Sequence, residues 1–351
     1  MSQNETEYVR INKDQFSMDT PERERKWEET KRDFKAYCVN RYQWFNYPKW
    51  QYINDFPLHV DFEASFRCNL KCPMCFRPHI RRKDWNDMDF NLFKKGIDEC
   101  AANNLYSIRL NWRGEPTVNP HLIEMVAYAK QKGIKDVSFI TNGKLIDRKY
   151  AAELVKAGLD YITYSIDSMY AKYEELRFPI KFDEITRNVR DMHDLRETIG
   201  NGFPRIKIQA IWSFMKDQSQ EFYNYFKDIT DLIAFNTYDD YTLTFMPQNP
   251  ALICQYLWQR INITWSGEAP MCISDWDLAT SVGDLRNESI KEMWHGKKMN
   301  EYRKMHSSGK RLDLDCCKRC HRLAVPNVGN KPAGKDIEQV GSPANPVMNA
   351  E

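Results

Sequence analysis

The sequence predicts an α/β protein with a parallel sheet and helices packed outside it, followed by a smaller cysteine-rich unit. Two observations support this prediction. Between residues 58 and 246, short β-like runs alternate with amphipathic helical patterns six times, as repeated β-α units do. Most of the ten cysteines gather within residues 68–75 and 254–320 instead of being spread as in a disulfide framework. In a reducing compartment, such groups indicate metal sites.

Composition is that of an ordinary globular protein. With 351 residues, 42% of them hydrophobic and 28% charged, the chain can bury one large core and a smaller satellite domain. A net charge of only +2 gives no clear sign of nucleic-acid binding. The chain has no apolar run long enough to cross a membrane and no apolar signal core after Met1, so we expect a cytoplasmic protein without membrane association.

The first predicted unit is an N-terminal extension over residues 1–54. It is charged at first and then rich in aromatic residues, among them Tyr42, Trp44 and Trp50. We expect the extension to pack these rings against the outside of the main domain.

The main domain is expected over residues 55–248. Its predicted strands cover residues 58–64, 107–112, 136–141, 161–166, 205–212 and 241–246. Apolar residues recur at helical spacing between the strands, from Phe90 to Cys100 and from Ile185 to Leu195. Two further helices, 121–132 and 148–157, are predicted to end at Gly133 and Gly158, because glycine is favoured after the last turn of a helix.

Three cysteines, Cys68, Cys72 and Cys75, directly follow the first predicted strand. They therefore lie at its carboxyl end, where α/β folds place their chemistry. Three thiolates at this spacing can bind one face of an iron–sulfur cube and leave one coordination position open. The alternative is a zinc site whose fourth ligand comes from His79 or from a distant cysteine.

A second group, Cys254, Cys272, Cys317 and Cys320, supplies a full set of four ligands, with Cys316 as a neighbour. After Cys254, residues 257–265 alternate in polarity, a turn follows at residues 266–267, and a second short strand is expected before Cys272. This pattern predicts a β-hairpin, followed by a helix over residues 290–299, within a domain at 249–322. The alternative is a zinc ribbon. Residues 323–351 lack periodicity and are predicted to form a flexible tail.

The cysteine triplet resembles the signature of the radical S-adenosylmethionine (SAM) superfamily. This resemblance implies that Cys68, Cys72 and Cys75 hold a [4Fe–4S] cluster whose fourth iron binds SAM. It further implies that the reduced cluster splits SAM into methionine and a 5′-deoxyadenosyl radical, which abstracts hydrogen from a substrate. The six β-α units match the partial (β/α)6 barrel of this family.

Further motifs follow the later strands in the order that the resemblance requires. Residues 112–116 (Trp-Arg-Gly-Glu-Pro) resemble the family's Gly-Gly-Glu-Pro turn, with Arg113 in place of the first glycine. Residues 141–143 are similar to its Thr-Asn-Gly turn, and residues 165–168 to its Ser-x-Asp segment. The resemblance implies that SAM is bound by Met74, Gly114, Glu115, Asn142, Ser165, Asp167 and Arg177.

The second cysteine group resembles the Twitch domain, the shortened form of the SPASM domain, which holds one auxiliary [4Fe–4S] cluster. The spacing is similar to that in the butirosin-pathway amino-cyclitol dehydrogenase family, which oxidises an alcohol to a ketone. Enzymes with a full SPASM domain carry additional cysteines for a second auxiliary cluster. The resemblance therefore implies two [4Fe–4S] clusters in this chain, together with SAM.

Together these observations predict a dehydrogenase-like radical SAM oxidoreductase. The expected substrate is a small polar molecule such as a sugar, cyclitol or nucleoside, and a flavodoxin or ferredoxin is expected to reduce the first cluster. One alternative is modification of a peptide or protein side chain; another is a zinc-stabilised binding protein without catalytic activity. Four charged residues near the predicted hairpin are either substrate contacts or solvated loop charges: Arg260, Glu268, Asp275 and Asp277.

Overall fold

The computed structural model describes residues 8–9, 16–199, 201–238 and 252–320, and its centre is an eight-stranded sheet. The strands are β1 Tyr8–Val9, β2 Phe16–Ser17, β3 His59–Phe62, β4 Ser107–Arg109, β5 Asp136–Thr141, β6 Tyr161–Ser165, β7 Arg205–Ile211, β8 Leu232–Asn236, β9 Ile253–Cys254, β10 Arg260–Ile263, β11 Glu268–Pro270 and β12 Ser281–Asp284. The order in the main sheet is β10-β3-β4-β5-β6-β7-β8-β2. Strands β3 to β8 are mutually parallel, which confirms the predicted α/β class with a parallel sheet.

Helices connect the parallel strands. The helices are α1 Pro21–Glu29, α2 Phe34–Asn46, α3 Phe90–Ala102, α4 Leu122–Gln131, α5 Arg148–Ala157, α6 Tyr170–Leu176, α7 Phe182–Ile199, α8 Trp212–Met215, α9 Ser219–Phe226, α10 Ile290–His295, α11 Lys297–Ser307 and α12 Asp315–Lys318. The left-handed C-cap Gly158 (φ 86°) ends α5, and Gly133 (φ 93°) follows the end of α4, as predicted. Among the described helices, none has the length and hydropathy needed to cross a membrane.

The parallel strands have two different faces. In β5, Val137 and Phe139 are buried in the hydrophobic core with the helices, whereas Ser138 and Ile140 remain partly exposed. The same alternation recurs in β6 and β7. Since side chains alternate across a strand, the partly exposed set forms one continuous inner face, turned away from the helices. This face lines the interior of the partial barrel.

The C-terminal part contains strands and helices, as predicted, but its strands pair differently from the expected hairpin. Strand β10 pairs in parallel with β3 at the edge of the main sheet, and β11 pairs antiparallel with β12. The turn itself is present, because Gly267 has φ 96° and its N–H donates to Thr264 O at 3.0 Å. The pairing differs because β3 would otherwise leave a row of unpaired backbone groups at the sheet edge, and β10 pairs with them.

The sixth parallel strand was also missed by sequence reasoning. It is β8, which precedes the predicted strand at 241–246, and residues 241–246 lie outside the described part of the chain. The predicted tail at 323–351 lies outside it as well.

The segment before the barrel contacts it at several points. Strand β2 pairs antiparallel with β8, and the Trp27 ring lies 5.0 Å from that of Tyr161 between centroids. The Trp44 ring lies 4.5 Å from the Arg260 guanidinium. Two other rings of this segment, those of Tyr42 and Trp50, are 59% and 58% exposed, so only part of the aromatic set packs as expected.

Candidate functional site

Cys68, Cys72 and Cys75 lie together on the loop that follows β3. Burial raises the pKa of the Cys68 thiol and raises that of Cys72 to about 11, and the nearby Cys75 contributes to both shifts. The Arg177 guanidinium acts in the opposite direction on Cys72 and favours its thiolate. Three thiols on one loop, with a guanidinium that favours the thiolate of Cys72, fit a cluster that takes three thiolate ligands from the protein.

The backbone at Gly114 passes close to the cysteine loop. A Cβ atom at Gly114 would lie 2.4 Å from Ser65 O and 2.5 Å from Arg67 O, closer than real Cβ contacts. The next residue, Glu115, donates its N–H to Arg67 O at 2.8 Å. The turn after β4 is therefore fixed directly to the cysteine loop, and this approach requires glycine at position 114.

Arg113, which replaces the first glycine of the family's turn, has a structural role. Its guanidinium forms a buried ion pair with Glu63, with Nη2 to Oε2 at 2.6 Å and side chains 1% and 0% exposed. It also lies 3.9 Å from the Phe66 ring and donates from Nη1 to Trp276 O at 2.9 Å. Arg113 thus connects β3, the cysteine loop and the C-terminal domain.

The Glu115 carboxylate holds the turns after β4 and β5 together. It accepts hydrogen bonds from Thr117 Oγ1 at 2.7 Å, Thr141 Oγ1 at 2.6 Å and the Asn142 N–H at 2.7 Å. Burial raises the pKa of Glu115, and these hydrogen bonds limit the rise. Its predicted contact with SAM stays a prediction, whereas its role in positioning the two turns is direct.

Asn142 extends this assembly to the cysteine loop. Its Nδ2 donates to Asn69 Oδ1 at 2.8 Å and lies 3.9 Å from Cys68 Sγ. The Nδ2 of Asn69 is buried and has no hydrogen-bond partner among the described residues. A buried donor beside a predicted cluster ligand fits an acceptor supplied by a bound group, such as a cluster sulfur or the SAM carboxylate. Asn69 was not predicted as a site residue.

The remaining predicted SAM residues surround the same loop. Asp167 pairs with Arg177, whose Nε donates to Oδ2 at 2.6 Å, and accepts from the Ile211 N–H at 3.0 Å. Ser165 lies on the inner face of β6 and is partly exposed, and Met74 is partly buried between Cys72 and Cys75. The cysteine loop and the three motif turns therefore come together at the carboxyl ends of β3 to β6.

The second cysteine group lines one cavity in the C-terminal domain. Its lining residues are Cys254, Tyr256, Leu257, Met271, Cys272, Ile273, Ser274, His306, Cys316, Cys317 and Cys320. The four predicted ligands are thus brought together, although 66 residues separate the first from the last. Within the described ranges, no group of three or more His, Cys, Asp or Glu side chains is arranged as ligands of a single metal ion. We therefore infer the cluster ligands from loop, spacing and cavity.

The cavity also holds groups that sequence reasoning did not assign. Cys316 hydrogen bonds to Cys272 and thereby raises the pKa of the Cys272 thiol, so five thiols face the cavity. His306 is 2% exposed, its Nε2 lies 3.6 Å from Cys317 Sγ, and burial lowers its pKa to about 4. No local sequence signal distinguishes His306 from other histidines, because the contact depends on the packing of α11 against α12.

The loop after Cys272 contacts the cysteine loop of the barrel. The rings of Phe76 and Trp276 lie 4.7 Å apart between centroids. Trp112, in the turn after β4, donates from Nε1 to Ile273 O at 2.9 Å. The two cysteine sites are thus joined by direct contacts between their loops.

Tyr256 forms a second connection, from the cavity wall to the inner face of the barrel. Its hydroxyl donates to Asp61 Oδ2 at 3.2 Å, and Asp61 also pairs with Arg109 at 2.7 Å and with Arg260 at 3.3 Å. Although burial acts in the opposite direction, the two guanidinium groups hold the pKa of Asp61 well below its usual value. One carboxylate between two arginines leaves a surplus of positive charge at this point.

The four charged residues near the predicted hairpin all have protein partners. The pairs are Arg260 with Asp61, Glu268 with Arg82, Asp275 with Thr280, and Asp277 with Arg81. These contacts give the side chains structural roles, and a contact with substrate stays a prediction. His79, the alternative zinc ligand, is exposed.

Comparison with family models identifies two regions. Residues 62–217 match the model of the Radical SAM superfamily, and residues 254–321 match the SPASM model, described as an iron-sulfur cluster-binding domain. The second match contains all four predicted auxiliary ligands.

Two curated relatives match the chain over less than half of their own length. One is the tungsten-containing aldehyde ferredoxin oxidoreductase cofactor-modifying protein of Pyrococcus furiosus, 30% identical over 44% of this chain and 43% of the relative. The other is the Fe-coproporphyrin III synthase of Methanosarcina barkeri, 30% identical over 48% of this chain and 43% of the relative.

Two solved structures share the fold. BtrN in complex with AdoMet and 2-DOIA has a TM-score of 0.54 at 18% identity, covering 75% of this chain and 92% of BtrN. Native anSMEcpe with bound AdoMet has a TM-score of 0.56 at 18% identity, covering 76% of this chain and 91% of anSMEcpe. At these identities the likeness concerns the fold alone. By the two matches to family models, the chain combines a radical SAM domain over residues 62–217 with a C-terminal iron–sulfur cluster-binding domain of the SPASM type over residues 254–321.

Proposed function

We propose that this radical SAM enzyme oxidises an alcohol carbon of a small polar substrate bound against the inner face of the barrel. The observation that carries the proposal is the chemistry of that face. Its partly exposed side chains are mostly polar, among them Arg109, Ser138, Thr163, Lys207 and Gln209. Such a surface offers hydrogen bonds to hydroxyl groups in many directions.

The electrostatics of this face favour a polar or anionic substrate. Arg109 and Arg260 share the single carboxylate of Asp61, and the Arg109 side chain remains 25% exposed. Burial, together with nearby Lys31, lowers the pKa of Lys207 to about 8. A fraction of Lys207 is thus neutral near physiological pH, so this side chain of the inner face can accept as well as donate a hydrogen bond.

The first cofactor site is proposed to consist of the triplet and the motif turns around it. Cys68, Cys72 and Cys75 would ligate the first cluster, while Asn142 and Arg177 orient the loop beside SAM. A flavodoxin or ferredoxin is the proposed electron donor.

The auxiliary site is proposed to have Cys254, Cys272, Cys317 and Cys320 as ligands. When bound, the first cluster and SAM would supply a 5′-deoxyadenosyl radical that takes hydrogen from the alcohol carbon. The auxiliary cluster would supply an acceptor for the one electron released as the ketone forms. Four protein ligands leave no open iron for substrate, which suits an electron acceptor. Tyr256 and Trp112, which connect the cavity to the barrel, keep the two sites in a fixed relation.

The test is anaerobic turnover of the reconstituted enzyme with SAM, a reductant and separate panels of sugars, cyclitols, nucleosides and peptides. We expect substrate-dependent 5′-deoxyadenosine with an equal amount of ketone from one of the small molecules. The control is the Cys68→Ala/Cys72→Ala/Cys75→Ala variant, which should form neither product. Stimulation by a peptide alone, with a modified side chain as product, would replace this proposal with the peptide-modifying alternative.

A further inference from the structure

The auxiliary cavity contains a histidine that the four-cysteine set does not require. His306 lies near the C-terminal end of α11, is 2% exposed and directs Nε2 to Cys317 Sγ at 3.6 Å. Its Nδ1 is buried without a hydrogen-bond partner among the described residues. An unsatisfied buried polar atom costs about 1–3 kcal/mol. Burying His306 with an unpaired Nδ1 therefore needs a compensating role, and the polar contact of its ring is at Nε2.

The chemistry of Cys317 as an iron ligand determines which group donates. An iron-bound cysteine carries no proton, so its sulfur can only accept a hydrogen bond. A histidine that directs Nε2 to this sulfur must then carry a proton on Nε2. The contact is therefore an N–H donor directed at a cluster ligand.

We propose that His306 is a positioning residue that donates a hydrogen bond to the Cys317 thiolate and thereby raises the reduction potential of the auxiliary cluster. Hydrogen bonds to the sulfurs are one of the factors that set the potential of iron–sulfur clusters. Reduction adds negative charge to the cluster and its sulfurs, so a donor stabilises the reduced form more than the oxidised form.

Arg311 contributes to the same environment. It is 0% exposed, and while burial is the main cause that raises the pKa of the Cys254 thiol, the Arg311 charge acts against this rise. A hydrogen-bond donor and a buried cation thus both lie near the cysteine set. Both would stabilise the negative charge that the cluster gains on reduction, as an electron acceptor requires.

This inference rests on the proposed ligand set of the auxiliary cluster but not on the identity of the substrate. His306 is not needed as a ligand itself, because Cys316 already provides a fifth thiol in the cavity. Its contribution should consequently be visible in the potential of the cluster and not in its iron content.

The experiment measures the midpoint potential of the auxiliary cluster in the full-length chain with Cys68, Cys72 and Cys75 replaced by alanine, so that one cluster signal remains. Three substitutions are compared in this background. His306→Leu removes the donor, His306→Gln keeps an N–H donor of similar reach, and His295→Gln is the matched control. The His295 side chain is exposed at the end of α10, and its Nε2 lies 2.9 Å from Asp55 O.

We expect His306→Leu to lower the midpoint potential, with the ratio of reduced to oxidised cluster falling about tenfold at the midpoint of the parent protein, a shift of about 59 mV. His306→Gln should retain most of the parent potential, and His295→Gln all of it. Iron content should remain at about four per chain in every variant. In ¹⁵N-histidine-labelled parent protein, pulsed EPR should detect a weak nitrogen coupling that disappears in His306→Leu.

Several results would overturn the inference. One is an unchanged potential in His306→Leu with its cluster intact, and another is an equal shift in the leucine and glutamine variants. Loss of iron in both His306 variants would give His306 a structural role. A nitrogen coupling strong enough for direct bonding to iron would make His306 a ligand. Absence of iron in the parent background would instead refute the proposed auxiliary ligand set, which separates the two failures.

Discussion

Gly114→Ala should disable the first cluster site while leaving the auxiliary site in place. The added Cβ would lie 2.4 Å from Ser65 O and 2.5 Å from Arg67 O, and real Cβ atoms do not come closer than 3.0 Å. The cysteine loop must therefore move by about 0.6 Å or more at these backbone atoms, which have no flexible side chain to absorb the change. Since a misplacement of about 1 Å can cost about 100-fold in rate, SAM cleavage should fall by about that factor.

The assay for Gly114→Ala is 5′-deoxyadenosine formation under single-turnover conditions, together with iron and sulfide content. Iron should fall below about eight per chain, because the displaced cysteine loop holds the first cluster less firmly. The matched control is Gly133→Ala, where no atom lies within 4 Å of the added Cβ but φ is positive. This control should lose about 1–2 kcal/mol of stability and keep both clusters. A Gly114→Ala variant with normal iron and normal SAM cleavage would refute the close-approach argument.

Three further predictions concern the ion pair of Glu63 with Arg113, the buried His59, and Cys316, the fifth thiol of the auxiliary cavity. Glu63→Gln leaves the buried Arg113 without its counter-charge and should lower the free energy of unfolding by about 3–5 kcal/mol in denaturant titrations. The control is Glu268→Gln, at a more exposed ion pair, which should lower the free energy of unfolding by less than about 1 kcal/mol. Burial lowers the pKa of His59 to about 4, so the unfolded chain takes up its proton first as pH falls below about 6.5. Relative to His59→Gln, the wild type should then lose about 1 kcal/mol between pH 7.5 and 5.5, and equal slopes for the two proteins would contradict the shift. The comparison with the variant is needed because Asp136, whose pKa burial raises to about 6, changes stability in the opposite direction. Cys316→Ala should retain about eight irons per chain, and a drop to about four would make Cys316 a ligand.

The parts of the fold that follow local patterns were predictable from sequence. Strands β5 and β6 and the ends of α4 and α5 lie where alternation and glycine placed them. Strand β8 was missed because its short apolar run is also compatible with a buried helix, whereas the run at 241–246 alternates more clearly. The helix α1 is almost wholly charged and has no apolar periodicity, so its packing against the barrel could not be foreseen.

The candidate site, too, was predictable from sequence only in part. The cysteines and motif turns follow one another in a recognisable order, so sequence was sufficient to predict that they meet. The supporting contacts depend on tertiary packing: Tyr256 reaches Asp61 across 195 residues, and Arg113 reaches Glu63 across 50. Only Asn69 had a local signal, because it follows Cys68 directly.

Because β10 pairs in parallel with β3, the C-terminal domain shares the main sheet with the barrel, and the two domains are separate in sequence but not in structure. Residues 260–263 continue the hydrogen-bonded ladder of the barrel, register for register with residues 59–62. A truncated chain that ends before Cys254 would therefore expose the edge of β3 and uncover the hydrophobic side chains beneath it. The cluster-binding domain is consequently unsuited to removal or exchange as an independent module. We expect the two domains to unfold together as one cooperative unit.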